Sequence, residues 1–540
     1  MSKSISKTLV QPGAGALAML EVPATITRAV LLAPPLFEER KSTLSMLSAL
    51  SRKLAQGGAL VARCDIPGTG HAEGDIEDLT SAAWQGALRA TANFLRAQAP
   101  GVPLFLVGVR ISAAWVAQLA REIPDVAGVV FIAPVSGFRF LRQLAQRSAV
   151  NQMMIYGKPQ LLPNKVEEAI RAGRTLDFDG YAITPALYDA LRAVVITPAA
   201  CQSLCIATQH DGPDAAACNA GKTVSLTLPV FWNTVGFVDP APILNAVAEW
   251  FARQPAASTQ PIDHPSHSSY FSVASALGAL HGFRYAPSGT PAASILFLHG
   301  WSGDGTGPHR MFVKLSRRLV ASGHLCHAFD FGGRGESEGE HAAASIATMT
   351  ADARAVLEHM QRAAPNAPLV VVAICSGSKV ALSLAAEGAP VQLVLLSAEP
   401  LGALRDSRRV ARRKLCHAMK TYFFKLFQRQ TWKKLLSGKV QSKGVRSALV
   451  STEKPSDAEV RHETALLKKL CDYTGRILFL FAERDPEAAP SAAAYSTFCT
   501  ENKIPFQLHT LPNTGHSYYN LDAEAEVIKR VAEFVEQIKN

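Results

Sequence analysis

No two of the nine cysteines in this 540-residue sequence are spaced as Cys-x-x-Cys. That spacing underlies most zinc sites and paired-thiol redox centres, so neither is indicated, and an odd count argues against a closed disulfide framework. No metal or other cofactor is expected, and a reducing compartment, the cytoplasm, fits. No uninterrupted apolar run approaches the roughly 18 residues that a membrane-spanning helix needs. At the N-terminus, Lys3 and Lys7 precede a mildly apolar run, but Pro12 and Gly13 interrupt it, which speaks against a signal peptide.

Charge is sparse and uneven. Charged residues make up 18% of the chain and the net charge is +11. Arg405 to Arg446 holds fourteen Lys and Arg against one acid, Asp406, so the excess belongs to that segment alone. No recognised nucleic-acid module accompanies it, and nucleic acid is not expected as a partner.

At this length two or more domains are expected, because single cores rarely grow past roughly 250–300 residues. Residues 254–269, rich in Pro, Ser and His and without periodicity, read as a linker. On either side, short β-rich runs alternate with helical patterns, the signature of a mainly parallel sheet flanked by helices. The two sides also share register. Asp65-x-x-Gly68-x-Gly70-x-x-x-Gly74 matches Asp330-x-x-Gly333-x-Gly335-x-Ser337-x-Gly339 at an offset of 265. The same offset sets Pro34-Pro35 on His299-Gly300 and Gly108-Val109-Arg110 on Ala373-Ile374-Cys375. The expected organisation is one unit over 1–253, a linker over 254–269 and a second unit over 270–540.

A His-Gly pair after one β run, the Asp/Gly/Ser turn after the next, and a small-x-nucleophile-x-small turn after a third resemble the α/β-hydrolase fold. The resemblance implies two tandem domains of that fold. Within it, the Pro34-Pro35-Leu36-Phe37-Glu38-Glu39 start and the Gly-x-Arg turn of the first half resemble one type of exosortase A system-associated hydrolase. The cysteine turn and Trp432-Lys433-Lys434-Leu435-Leu436-Ser437-Gly438 resemble the other type. Here both types stand in one chain, which departs from their usual separation. Dienelactone hydrolases similarly carry cysteine at this turn.

The turn from strand to helix is sharp, so the positions two before and two after the nucleophile must be small. Cys375, with Ala373 and Gly377, fits this better than Ser376 or Ser378, whose flanks include Ile374 and Val380. A helix beginning after Cys375 would favour the thiolate through its N-terminal dipole. His516 lies in a loop between a β-like run and a C-terminal helix and is the expected base. Asp485, just past the run Ile477–Ala482, is the expected acid, with Glu483 as fallback. The order nucleophile, acid, histidine matches the fold. The N–H groups of Ser376 and Trp301 are the expected oxyanion donors. His299 and the turn from Asp330 to Gly339 read as structural. The expected substrate is a small acyl ester or thioester, and a link to exopolysaccharide synthesis follows from the family resemblance.

In the first half Arg110 stands at the nucleophile position and Asn233 at that of the histidine. Arginine stays protonated and cannot attack, so this half is expected to be inactive. Arg110 could bind an anion at the helix start, or pair internally with Glu38, Glu39 or another acid. Residues 402–470 lie where this fold inserts a cap. There Tyr422, Phe423, Phe424, Phe427 and Trp432 alternate with Lys420, Lys425, Arg429, Lys433 and Lys434. A basic helical cap of that kind could receive an anionic or lipid-linked substrate or lie on an anionic membrane surface. The plain alternative is a solvated face.

Overall fold

The computed structural model describes residues 5–234, 238–261, 266–404 and 457–538. The first sheet uses β1 (Ile5–Gly13), β2 (Ala16–Pro23), β3 (Arg28–Ala33), β4 (Ala59–Asp65), β5 (Leu104–Val109) and β6 (Val126–Ile132). A hairpin of β7 (Leu176–Phe178) and β8 (Tyr181–Ile183) stands apart, and β9 (Gln202–Thr208) and β10 (Lys222–Leu226) complete the sheet. Its order is β1-β2-β4-β3-β5-β6-β9-β10.

The second sheet uses β11 (Tyr270–Ser275), β12 (Gly278–Tyr285), β13 (Ser294–Leu298), β14 (Leu325–Phe329), β15 (Leu369–Ile374), β16 (Val391–Leu396), β17 (Ile477–Ala482) and β18 (Phe506–Leu511). Its order, β11-β12-β14-β13-β15-β16-β17-β18, repeats the first. In both sheets the two leading strands pair antiparallel and the rest run parallel. Both halves therefore have the α/β-hydrolase arrangement.

The central strands read as continuous apolar runs because helices cover both of their faces. Every residue of β5 and β15 is buried. Val371 and Ala373 enter one core, and Val370, Val372 and Ile374 enter the core on the opposite face. Helix starts also echo between the halves. Thr80 accepts from the Ala83 N–H at 3.2 Å, and Ser345, 265 residues later, accepts from Thr348 at 3.1 Å within a reciprocal capping box. No helix among the described residues is long and apolar enough to cross a membrane. Of the expected cap, only the turn Gly402–Leu404 and the helix Asp457–Leu470 are described. The basic, aromatic run between them lies outside the described residues.

The stretch read as a linker is tied down. Thr259 forms an antiparallel bridge with Ile26, and the Arg28 guanidinium donates to the carbonyls of Gln254 and Pro255 at 2.8 and 3.1 Å. The two halves also interlock. The helix Met311–Ala321 is preceded by two residues in the left-handed region, His309 (φ 38°) and Arg310 (φ 64°). This backbone throws Arg310 into the glycine turn of the first half. There it donates to the carbonyls of Gly70 (2.9 Å), Gly68 (2.7 Å), Gly74 (3.2 Å) and Ala72 (2.7 Å). In return, Glu336 of the second half's glycine turn pairs with Arg63 and with Lys7 at 3.0 Å. Burial would push the Glu336 pKa up, but these cations hold it well below the usual carboxylate range. His71 of the first half stacks on Phe283 of the second, and its Nδ1 lies 2.8 Å from the Tyr285 hydroxyl.

Arg310→Ala should strand several buried carbonyls at once, costing on the order of 3–5 kcal/mol in urea unfolding. Arg310→Lys should recover only part of this, because an ammonium cannot reproduce the planar fork.

Candidate active site

At the end of β15 the chain must turn from a buried strand into the helix Ser376–Ala386. It does so at Cys375, with φ 57° and ψ −126°. A non-glycine residue held there is strained and is retained where surrounding packing fixes it. The packing is tight. A β-carbon on Gly377 would come within 2.5 Å of the Leu298 carbonyl oxygen and 2.8 Å of that of His299. One on Gly300 would come within 3.0 Å of Cys375 Cβ and 3.5 Å of its Sγ. Cys375 is half-buried, while Ser376 and Ser378 are buried. The Ser378 hydroxyl turns inward, 3.4 Å from the Ala373 carbonyl.

His516 lies in the loop after β18, and its Nδ1 is 2.7 Å from Asp485 Oδ2. Burial alone would lower the His516 pKa. The hydrogen bond to Asp485 and the adjacent Cys375 sulfur outweigh it and push the value up to about 11. Asp485 is itself fixed, since its Oδ1 accepts the Glu487 N–H at 3.0 Å. Glu483, the fallback acid, accepts the Asn513 N–H at 2.7 Å and so braces the loop, not the imidazole.

Ser376 opens its helix, so its N–H has no intrahelical acceptor. Trp301 follows Gly300 directly and is partly exposed. His299 is buried; its Nδ1 faces the Gly300 carbonyl at 2.8 Å, its Nε2 accepts the Phe331 N–H at 3.3 Å, and burial pushes its pKa down to about 4. Asp330 accepts the N–H groups of Gly305 (2.6 Å) and Glu336 (2.7 Å), which makes it the anchor of the glycine turn.

Several residues near the thiol carry no sequence signal strong enough to single them out. Glu399 Oε1 lies 4.0 Å from Cys375 Sγ. Lys379 bridges Glu399 (3.0 Å) and Glu463 (3.3 Å). Only Lys379 could have been suspected, because four residues after Cys375 it shares a helix face with it.

The histidine loop is clamped from both halves. On its own side, the Ser397 hydroxyl donates to the His516 carbonyl at 2.8 Å, and the buried Tyr518 hydroxyl donates to the Leu480 carbonyl at 2.6 Å. From the first half, Ile155 packs against Gly515, where a β-carbon would sit 2.9 Å from it. Glu38 accepts from the Tyr519 hydroxyl at 3.2 Å, and Asp177 accepts the Leu521 N–H, at the start of the helix Leu521–Glu536, at 2.8 Å.

The corresponding turn of the first half has the same backbone. Arg110 sits at φ 57°, as Cys375 does. Its side chain is wholly buried. Nε and Nη2 donate to Glu39 at 3.1 and 3.2 Å, Nη1 donates to the Ala133 carbonyl at 3.1 Å, and Nη2 also donates to Gln143 at 2.5 Å. The guanidinium lies 3.8 Å over the Trp232 ring. The anion at this position is thus the chain's own Glu39, and the expectation of an external anion on Arg110 gives way to internal pairing. Asn233 is exposed. An acid does remain after β9, but Asp211 is engaged locally, accepting from the Thr208 N–H (2.6 Å) and hydroxyl (2.7 Å). No group of metal-ligating side chains occurs among the described residues.

Residues 295–530 match the model of the alpha/beta hydrolase family. No curated protein matches the chain. Among solved structures, it is similar to a proline iminopeptidase from Mycobacterium smegmatis at 15% identity, with 50% of this chain and 99% of that one covered and a TM-score of 0.36. It is similar to Est1E from Butyrivibrio proteoclasticus, solved with ferulic acid, at 17% identity, with 48% and 96% covered and a TM-score of 0.34. A thermostable carboxyl esterase from Bacillus coagulans is similar at 13% identity, with 50% and 98% covered and a TM-score of 0.33.

Because its pKa is raised, the His516 imidazole should stay protonated as pH rises through the ordinary histidine range near 6.5. Nitrogen NMR of the labelled ring should show the charged form from pH 6 to pH 9. Asp485→Asn should bring its titration down toward the ordinary range.

Proposed function

We propose that this chain is an acyl hydrolase, or acyltransferase, acting on an ester or thioester through Cys375, His516 and Asp485. The observation that carries this reading is the convergence of three features. Cys375 occupies the strained strand-to-helix turn, a histidine stands beside it, and that histidine is bonded at 2.7 Å to a buried carboxylate.

In this mechanism the Cys375 sulfur attacks the carbonyl carbon and forms a C–S bond. The carbonyl electron pair moves to oxygen, where the N–H groups of Ser376 and Trp301 receive the charge. Collapse of the tetrahedral adduct breaks the bond to the leaving group, which takes its proton from the charged His516 and departs as alcohol or thiol. Water, or an acceptor hydroxyl, then gives a proton to His516 as it attacks the acyl-thioester. The C–S bond breaks, and the sulfur leaves as thiolate paired with the imidazolium. Asp485 holds the ring and its charge throughout.

The first half lacks both reactive groups, with Arg110 and Asn233 at their positions, and serves on this reading as a non-catalytic domain. The likeness of both elbows to exosortase-associated hydrolases supports a substrate made near exopolysaccharide synthesis, by analogy of fold alone. A second reading, a non-catalytic binding or scaffold protein, is favoured by the closed Arg110–Glu39 pair and the extensive contact between halves.

Limiting iodoacetamide at neutral pH should label Cys375 ahead of the other thiols, as mapped by peptide mass spectrometry. Cys375→Ala should lower kcat/KM for short nitrophenyl esters by a factor of about 10,000 or more. His516→Ala should slow both labelling and turnover without unfolding the protein. Labelling elsewhere with Cys375 untouched, or unchanged turnover in Cys375→Ala, would favour the scaffold reading.

A further inference from the structure

Five arginines are buried among the described residues: Arg40, Arg63, Arg110, Arg310 and Arg334. Four are matched. Arg40 pairs with Asp65, Arg63 with Glu336 and Arg110 with Glu39, while Arg310 is filled by backbone carbonyls. Arg334, only 4% exposed, is not. Its Nη1 meets the His341 ring at 2.9 Å, but its Nε and Nη2 have no hydrogen-bond partner. Burial lowers its pKa to about 10, and no carboxylate acts against that. An uncompensated buried charge is costly, and a protein retains one where it serves something other than stability.

The position of Arg334 says what that is. It stands in the glycine turn after β14, and its Cζ lies 4.4 Å over the ring of Trp301. Trp301 is partly exposed, supplies the expected oxyanion donor, and adjoins Gly300, whose α-carbon faces Cys375. The Trp301 ring covers one face of the guanidinium. The two unpaired nitrogens, Nε and Nη2, form the edge that grips two oxygens of one planar or tetrahedral anion.

We propose that Arg334, seated on Trp301, is an oxyanion-group receptor beside the nucleophile, so that the acyl substrate carries a carboxylate or phosphate remote from its scissile carbonyl. The proposal rests on Cys375 as nucleophile for the word substrate, but the anion site itself does not. A neutral acyl chain would leave the guanidinium unpaired in the complex. A charged one would pair it and gain both affinity and register.

Two measurements on the full-length protein test this. Calorimetric titration with glutarate and with inorganic phosphate should show one site for the preferred anion and identify which chemistry it takes. Arg334→Gln should weaken that binding at least tenfold, and Arg334→Lys should restore part of it. Because no internal partner is lost beyond His341, the melting temperature of Arg334→Gln should equal or exceed that of the parent. In the second measurement, the nitrophenyl hemiester of glutarate should exceed the neutral valerate ester in kcat/KM by at least tenfold, mostly through KM, and Arg334→Gln should erase the difference. Failure of both anions to bind, an unchanged ester ratio in Arg334→Gln, or a large loss of thermal stability in both variants would overturn the proposal. Anion binding that depends on Arg334 without turnover of either ester would support the anion site and overturn the reading of Cys375.

Discussion

A single guanidinium joins the two sheets. Arg310 satisfies carbonyls from Gly68, Gly70, Ala72 and Gly74, and those carbonyls converge because the three glycines hold left-handed φ values of 78°, 49° and 79°. A β-carbon at Gly70 would collide with the Asp65 carboxylate at 1.8 Å, so the turn admits no other residue. Seating Arg310 requires the left-handed pair at 309 and 310, and that pair sets the start of the helix Met311–Ala321. The same geometry brings the His309 N–H to Glu38 at 3.2 Å. Glu38 also receives Tyr519 of the histidine loop. The reactive geometry of the second half thus stands downstream of an interface made with the first.

Much of this architecture is visible in the sequence because it depends on local pattern. Buried parallel strands must be apolar throughout, so β5 and β15 stand out, and a common offset of 265 aligns them residue for residue. The elbow is legible for a steric reason, now seen in the distances from Gly377 to the Leu298 and His299 carbonyls. Asp485 and His516 are legible because each follows the end of a strand. For Arg110 the sequence left open external or internal pairing, and the contact with Glu39 decides for the internal one.

What escapes the sequence is whatever depends on partners far apart along the chain. Nothing near Arg310 predicts a receptor some 240 residues earlier, and nothing near Tyr519 predicts Glu38. The reading of the two halves as separate units misses this for the same reason. Interface residues here are isolated charged side chains with no periodicity. The isolation of Arg334 is still less accessible to pattern, because a missing partner is a property of the folded environment alone. Glu399 lies near Cys375 only because two strand ends are adjacent in the sheet.

The clamp on the histidine loop has a thermodynamic consequence. Ile155, Glu38 and Asp177 belong to the first sheet's half, yet they fix residues 515 to 521 of the second. Opening the interface would expose or unpair Arg310, Glu336 and Glu38 together, at a cost that neither half recovers alone. The molecule therefore has two structural lobes but one thermodynamic domain, and calorimetry should trace a single cooperative heat-absorption peak across both sheets.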